Sequence, residues 1–341
     1  MARAKKGGTL EGKVVFVVGG SAGLGKEMAK VMAGQGAHIT IFARGEKQLQ
    51  DANDEICAAR QHDGQRVASV AADMSVATTA HETLTAQPHL PDILYCVAGG
   101  TPTECGFVLD LEPTVFERCM ANNYYSSLYP AQAALRLWVQ DDRDAKANEL
   151  EKKSEKDVVV AAKERKIVFV NSSAALVPMP GYGAYSAAKA AQRALADTLR
   201  TECLRYTSPL STYTTQCIFA HNFITPTFLR ENAAKPALTK RIERTSGALA
   251  DLEKQFPYAA AIAPEIVAAV ATGDFAVLDA RLEPQLLWAL AVGASPRRGW
   301  GVVDTVLGWV MWGVWWWVRR EVERECRGDA WRVDEGEGGN K

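Results

Sequence analysis

Residues 13–34 constrain this chain more than any other stretch of its sequence. Lys13–Gly19 reads KVVFVVG, a continuously apolar run of the kind a strand adopts when both of its faces are buried. It leads into VGGSAGLG, where Gly19, Gly23 and Gly25 form a G-x-x-x-G-x-G pattern, and MAKVMA then continues a helix predicted from about Gly23 to Gly34. A backbone that turns sharply off a strand and starts a helix needs side-chain-free positions at the turn. The same positions let main-chain amides and the helix dipole approach a pyrophosphate closely. A glycine-rich turn without a ligand carries the same letters, but the strand before and the helix after are the context a dinucleotide loop requires. No Lys-Ser/Thr follows the glycines, which disfavours a nucleoside triphosphate loop.

The alternation continues downstream. Strands are predicted at His38–Arg44, Val67–Ala72, Ile93–Ala98, Lys166–Ser172, Thr212–Ala220 and Phe275–Ala280, separated by longer helical patterns. The fold class expected is α/β: a Rossmann-type doubly wound parallel sheet with helices on both faces, plus an apolar C-terminal helical segment. With 48% hydrophobic and 23% charged residues the chain is neither collagen-like, coiled-coil nor mostly disordered. Thirty-nine basic against 40 acidic residues leave a formal charge of -1, so no nucleic-acid partner is expected. The seven cysteines contain no C-x-x-C pair and fit reduced thiols rather than a zinc site or disulfide framework, so no metal is expected. Met1–Glu11 lacks the apolar core of a signal peptide, which favours a catalytic face in the cytosol.

Tyr185 and Lys189 stand four apart in GAYSAAKAAQRALADTLR, a spacing that puts both on one face of a helix. A tyrosine with a solution pKa of about 10 is a poor acid-base group near neutrality unless a neighbouring cation favours its phenolate. Lys189 supplies that cation and can also hold ribose hydroxyls. Ser172 ends the fifth predicted strand, at the sheet edge where ligands gather in open α/β folds, and its hydroxyl could orient a substrate carbonyl. A Y-x-x-x-K pair alone says little; the glycine loop, strand-end serine and helix together make coincidence improbable. At the end of the second strand the chain has Arg44, with Lys47 one turn into the next helix, where a carboxylate would bind a bare ribose. Cations there suit a 2′-phosphate, so NADPH is expected over NADH.

Through G-x-x-x-G-x-G, Ser172, Tyr185 and Lys189 the chain resembles the short-chain dehydrogenases/reductases over residues 10–280. The resemblance implies that Ser172 orients the carbonyl, Tyr185 exchanges its proton and Lys189 lowers the tyrosine pKa. It places Asn123, next to Asn122 in MANNYYSSLYP, as the asparagine linking the lysine to a water chain. It also implies cofactor contacts at Gly19, Ser21, Ala22, Gly23, Leu24, Gly25, Arg44 and Asp73, and at Thr225 beside the nicotinamide carboxamide. Departures from the family pattern are Val18 for a threonine, Cys96 at the expected asparagine, and Ala220-His221 for Pro-Gly. Within the family, GGSAG, IFAR, NYYSSLYPAQAAL, GAYSAAK and TPTFLRENAAKP are similar to the branch that reduces a long-chain keto sphingoid base at the endoplasmic reticulum membrane with its catalytic domain facing the cytosol. Reduction of another lipophilic carbonyl (steroid, retinoid or 3-oxoacyl) is the second reading, and an inactive dinucleotide-binding membrane scaffold the third.

Two stretches break the rhythm. Residues 140–166 hold dense mixed charge and read as a solvated helical extension or insertion. Gly299–Val318 is apolar but for Asp304 and Thr305, with four tryptophans between Trp312 and Trp317. A twenty-residue helix is about 30 Å long, so this segment can span a bilayer or lie in its interface; a buried helix or dimer contact is the alternative. Asp304 would be costly at depth, and arginines flank both ends, giving no orientation. The division expected is 10–280 for the catalytic unit, 281–320 for membrane association and 321–341 for a polar tail. Residues 221–260 are expected to form a substrate lid, in which Phe223, Phe228, Leu229 and Leu238 either line an acyl channel or pack the lid itself. The helices around Asn123 and Tyr185 form a homodimer face in many members of the family.

Overall fold

The first strand shows the logic of the whole sheet. In β1 (Val14–Val18), Val15 and Val17 point to one side and Phe16 and Val18 to the other, as the two-residue period of a strand requires, and all four are buried. In this computed structural model, described for residues 10–278 other than 102, 152–161 and 177, and for positions 281, 288, 316, 317, 320 and 324, helices cover both faces.

The chain runs from β1 through α1 (Gly23–Ala33), β2 (His38–Ala43), α2 (Glu46–Ala58), β3 (Val67–Ala71), α3 (Ala77–Thr85) and β4 (Ile93–Cys96). Then come α4 (Pro113–Met120), a π-helical turn (Ala121–Tyr125), α5 (Ser126–Glu151), β5 (Lys163–Ser172) and α6 (Gly183–Tyr206). Next are β6 (Ser211–Ala220), four short helices α7 (Pro226–Ala234), α8 (Ala237–Glu243), α9 (Leu249–Gln255) and α10 (Ala259–Val270), and β7 (Ala276–Leu278). The sheet order is β3-β2-β1-β4-β5-β6-β7, and every pairing is parallel. All seven predicted strands are present, and the doubly wound α/β class is the observed one.

One core layer packs Val15, Val17, Ile39, Ile41, Val168 and Val170 against α1, α2 and α10. The other packs Phe16, Phe42, Leu94, Phe169 and Phe219 against α3, α5 and α6. Strand order reverses between β1 and β4, and the crevice beyond their carboxyl ends is where this architecture takes ligands.

The charged stretch 140–166 is only partly solvated. Its first half continues α5 to Glu151, and β5 begins at Lys163, three residues before the expected start. Asp142 is buried, accepting from Ser211 Oγ at 2.7 Å and from the Tyr213 hydroxyl at 2.5 Å, while buried Arg165 pairs with Asp141 at 2.5 Å. Residues 299–318 lie outside the described residues except for Trp316 and Trp317; among the described residues no helix is long and apolar enough to cross a membrane. Replacing Asp142 by Ala leaves two buried hydroxyls without their charged acceptor. Urea denaturation of that variant should show a loss of about 2–4 kcal/mol, and a loss under about 0.5 kcal/mol would show that the cluster does not hold α5 to β6.

Candidate active site

The glycine loop is held in place by close approaches that exclude side chains. Gly19 has φ of 88°, and a Cβ there would lie 2.5 Å from the Ala98 nitrogen on the neighbouring β4 segment. One turn on, a Cβ at Gly25 would collide with the Gly19 carbonyl oxygen. The first glycine thus lets β1 and β4 converge, and the third lets α1 start directly against the turn. Gly19, Ser21, Ala22, Gly23, Leu24 and Gly25 all line a cleft of about 630 Å³ at the switch point.

The same cleft is lined by Arg44 and Asp73 at the ends of β2 and β3, by Thr225 before α7, and by Ser172, Tyr185 and Lys189. Burial works against ionisation of Asp73, but hydrogen bonds from the Ser75 hydroxyl (2.6 Å) and amide (3.0 Å), with the charge of Arg44, hold its carboxyl below the usual range. Thr225 Oγ1 accepts from the Phe228 amide at 3.0 Å and so caps α7. Lys47 is exposed on α2 and does not line the cleft; Gln48, one residue on, does.

Ser172 closes β5, and its Oγ accepts from the Ala174 amide at 3.2 Å. Tyr185 and Lys189 lie one turn apart on α6, with the ammonium 5.9 Å from the centre of the phenol ring. Lys189 is 3% exposed; its Nζ donates to Val170 O at 2.9 Å and to Gln192 Oε1 at 3.3 Å. Desolvation lowers its pKa from 10.5 to about 8. For Tyr185 the balance differs from the phenolate expected of a lysine-flanked tyrosine. Burial, and then the negative charge of Glu231, push the phenol well above its ordinary range, while an interaction with Ser172 acts the other way. The group therefore stands protonated, the form a proton donor must have.

Asn123 sits in the π-helical turn and is fully buried. Its Oδ1 accepts from the Gly100 amide at 2.8 Å, and its Nδ2 donates to Gly100 O and Cys119 O, both at 3.1 Å. It does not line the cleft, whereas Asn122 and Ser126 do. Asn123 and Lys189 nevertheless converge: a Cβ at Gly99, where φ is 149°, would lie 2.5 Å from Asn123 Oδ1 and 3.3 Å from Lys189 Nζ. Cys96, buried at the end of β4, donates through Sγ to Ser127 O at 3.6 Å. In the lid region Phe228 packs with Ile224, Leu252 and Phe256 in a core of its own and also lines the cleft, as Phe223 does, while Leu229 and Leu238 are exposed.

Sequence reasoning assigned nothing to Tyr182, Glu231 or Glu243, which also line the cleft. The Tyr182 hydroxyl lies 2.7 Å from Glu231 Oε1 and 3.1 Å from Glu243 Oε2, and its ring centre is 5.9 Å from that of Tyr185. Glu231 falls within the TPTFLRENAAKP likeness, and its i, i+4 pair with Lys235 is local, but Tyr182 and Thr101 are 49 and 130 residues away, so no local pattern could bring it to the cleft.

A model of the short chain dehydrogenase family matches residues 13–147 and 155–212, which contain the glycine loop, Ser172, Tyr185 and Lys189. The chain belongs to the short-chain dehydrogenases. This short-chain dehydrogenase is 34% identical over 232 residues to a PIGF/3-ketodihydrosphingosine reductase fusion protein of Schizosaccharomyces pombe, covering 68% of the chain and 42% of that relative's length. It is 28% identical over 308 residues to a 3-ketodihydrosphingosine reductase of Neurospora crassa, covering 89% of the chain and 78% of the relative. Among solved structures it is similar to a short-chain dehydrogenase/reductase of Burkholderia phymatum in complex with NAD. There the TM-score is 0.61 at 18% identity, over 84% of this chain and 94% of that one.

The lowered pKa of Lys189 makes a testable statement about stability. The folded dehydrogenase releases that proton near pH 8 and the unfolded chain near 10.5, so between these values the unfolded state binds more protons and stability rises with pH. Measured against Lys189→Met by chemical denaturation, the wild type should gain on the order of 2–3 kcal/mol across that window. A constant difference would mean that the ammonium is not desolvated.

Proposed function

We propose that this short-chain dehydrogenase carries out the NADPH-dependent reduction of 3-ketodihydrosphingosine, a long-chain keto sphingoid base, to dihydrosphingosine. The observation that carries the chemistry is the convergence of Ser172, Tyr185 and Lys189 on one wall of the cleft that begins at the glycine loop. The names of the relatives support the substrate.

The residues present fit a nicotinamide dinucleotide. A Cβ at Gly19 or Gly25 would destroy the turn that admits a pyrophosphate, and the cleft runs from Arg44 and Asp73 to Thr225 and Tyr185. Arg44 is exposed on the cleft wall where a carboxylate would select a bare ribose, which supports a 2′-phosphate and hence NADPH. When bound, the dihydronicotinamide supplies the hydride to the ketone carbon. Ser172 holds the carbonyl oxygen by a hydrogen bond and polarises it. Tyr185 gives its proton to the same oxygen as charge develops there, so the C=O becomes a secondary alcohol. Lys189, charged below pH about 8, stabilises the phenolate that remains. Asn123, converging with Lys189 on Gly99, holds the Gly99–Gly100 loop over that ammonium and stands at the start of the proton's return path.

The setting is a membrane surface. The apolar 299–318 segment supports attachment to the endoplasmic reticulum membrane; the cytosolic side for the catalytic unit and a homodimer through the helices around Asn123 and Tyr185 rest on the family resemblance. Exposed Val108, Leu109, Leu229 and Ile242, on segments neighbouring the cleft, suit a lipophilic substrate.

Two substitutions test the reading. Tyr185→Phe should lower kcat on the keto sphingoid by about 10²–10⁴-fold while NADPH still binds by fluorescence titration, and undiminished turnover would remove Tyr185 as proton donor. Arg44→Asp should cut the NADPH-over-NADH ratio of kcat/KM by about 10–100-fold, whereas an unchanged ratio would take the 2′-phosphate away from Arg44.

A further inference from the structure

The wall of the cleft beside Tyr185 carries charge that the hydride and proton steps do not use. Glu231 Oε2 accepts from Thr101 Oγ1 at 2.6 Å, and its Oε1 lies 3.1 Å from Lys235 Nζ. Glu243 Oε2 lies 2.6 Å from the same ammonium. The Lys235 side chain is wholly buried, capped by the ring faces of Tyr182 and Phe228, with its Nζ 5.5 and 5.0 Å from their centres. Two carboxylates thus share one ammonium. Glu231 and Glu243 line the cleft with side chains 15% and 5% exposed, while Lys235 does not. The three groups carry one negative charge in surplus on the cleft wall; Arg230, which also lines the cleft, is exposed and donates to Thr227 Oγ1 at 3.3 Å.

An incompletely neutralised carboxylate in so enclosed a place is costly, and a cation from the ligand removes the cost. The proposed substrate supplies one: a 2-amino-3-ketone carries an ammonium on the carbon next to its carbonyl. Tyr182 bridges the two features, its hydroxyl on Glu231 and its ring tilted against that of Tyr185. The Glu231 wall therefore adjoins the place where Ser172 and Tyr185 would hold a carbonyl, within reach of one of the two carbons that flank it.

We propose that Glu231, backed by Glu243 and Lys235, is the site that binds the substrate's ammonium group and makes the enzyme selective for 2-amino ketones over ketones without that charge. This rests on the keto sphingoid reading above. It has a consequence for the proton step, because the same negative charge opposes loss of the Tyr185 proton, and an ammonium beside Glu231 relieves that opposition as the alkoxide forms. A free amine is therefore part of what the site requires, and the N-acylated ketone lacks it.

The test compares the full-length protein with Glu231→Gln, Glu231→Asp and Glu243→Gln, using NADPH and two ketones of equal chain length, one with the 2-amino group and one with hydrogen in its place. Thermal unfolding and NADPH binding confirm that each variant is folded. The wild type should favour the amino ketone by at least about tenfold in kcat/KM. Glu231→Gln should lose about 10–100-fold on the amino ketone and under about threefold on the other, with Glu231→Asp recovering part of the loss and Glu243→Gln losing less. Equal losses on both ketones would show that Glu231 only holds α7 in place, and no loss would show that it meets no cation; either overturns the proposal. A wild type that reduces both ketones equally well overturns it too while leaving the reductase reading standing. A wild type that reduces neither overturns the substrate reading, and this proposal with it.

Discussion

A lysine ammonium buried beneath a tyrosine ring is the constraint around which this molecule is arranged. Lys189 can sit in the interior only because its donors are met by Val170 O and Gln192 Oε1, and because Gln192 is itself anchored on Ser127 Oγ at 2.7 Å. The backbone fixes the same register: Asn171 Nδ2 donates to Lys189 O at 2.9 Å, tying α6 to the last turn of β5. Once α6 is locked there, the i, i+4 spacing leaves Tyr185 on the same cleft wall as Ser172, at the carboxyl edge of the sheet. The cost of desolvating the cation is carried by an apolar core of two layers. A site of this kind, destabilising by itself, is tolerated because the rest of the fold over-determines its position.

The two ends of the cleft differ in charge, and that difference orders the ligands. At the glycine loop, main-chain amides, the start of α1 and the Arg44 guanidinium face the space and favour phosphate, with the Asp73 carboxylate beside them at the end of β3. Beyond Tyr185 the wall carries Glu231 and Glu243 with a buried lysine between them, and exposed Arg230 beside them. In the proposed reading a dinucleotide and a cationic lipid head would meet from opposite sides at Ser172 and Tyr185. The topology makes this geometry available: at the β1–β4 switch the loops after the strands diverge and leave a crevice.

Most of the fold was legible in the sequence because parallel strands buried on both faces are written as unbroken apolar runs, as in KVVFVVG and KIVFVNS. Ser172, Tyr185 and Lys189 were legible because their relation is local, a strand end and one helical turn. What escaped depends on distant partners or on an irregular helix. The π-helical turn distinguishes Asn123, which turns inward to Gly100, from Asn122, which lines the cleft, and no 3.6-residue pattern separates the two. Charge density made residues 140–166 look solvated, yet Asp142 and Arg165 are buried because β6 and the Pro91 carbonyl lie in wait for them. Glu231 and Glu243 went unassigned because it is the return of α7 and α8 over Tyr182 and Thr101 that makes them part of the cleft.

The central claim is that the reaction is a hydride transfer to the carbonyl carbon of a long-chain keto sphingoid base held at Tyr185. Its most direct measurement uses NADPH carrying deuterium on the transferable position of its nicotinamide ring, with mass spectrometry of the lipid product. The account predicts one deuterium per turnover, located on the carbon that was the ketone, and about 10²–10⁴-fold less label delivered by the Tyr185→Phe variant at the same time and concentration. Product formed without the label on that carbon would contradict it, as would label delivered at the wild-type rate by the variant.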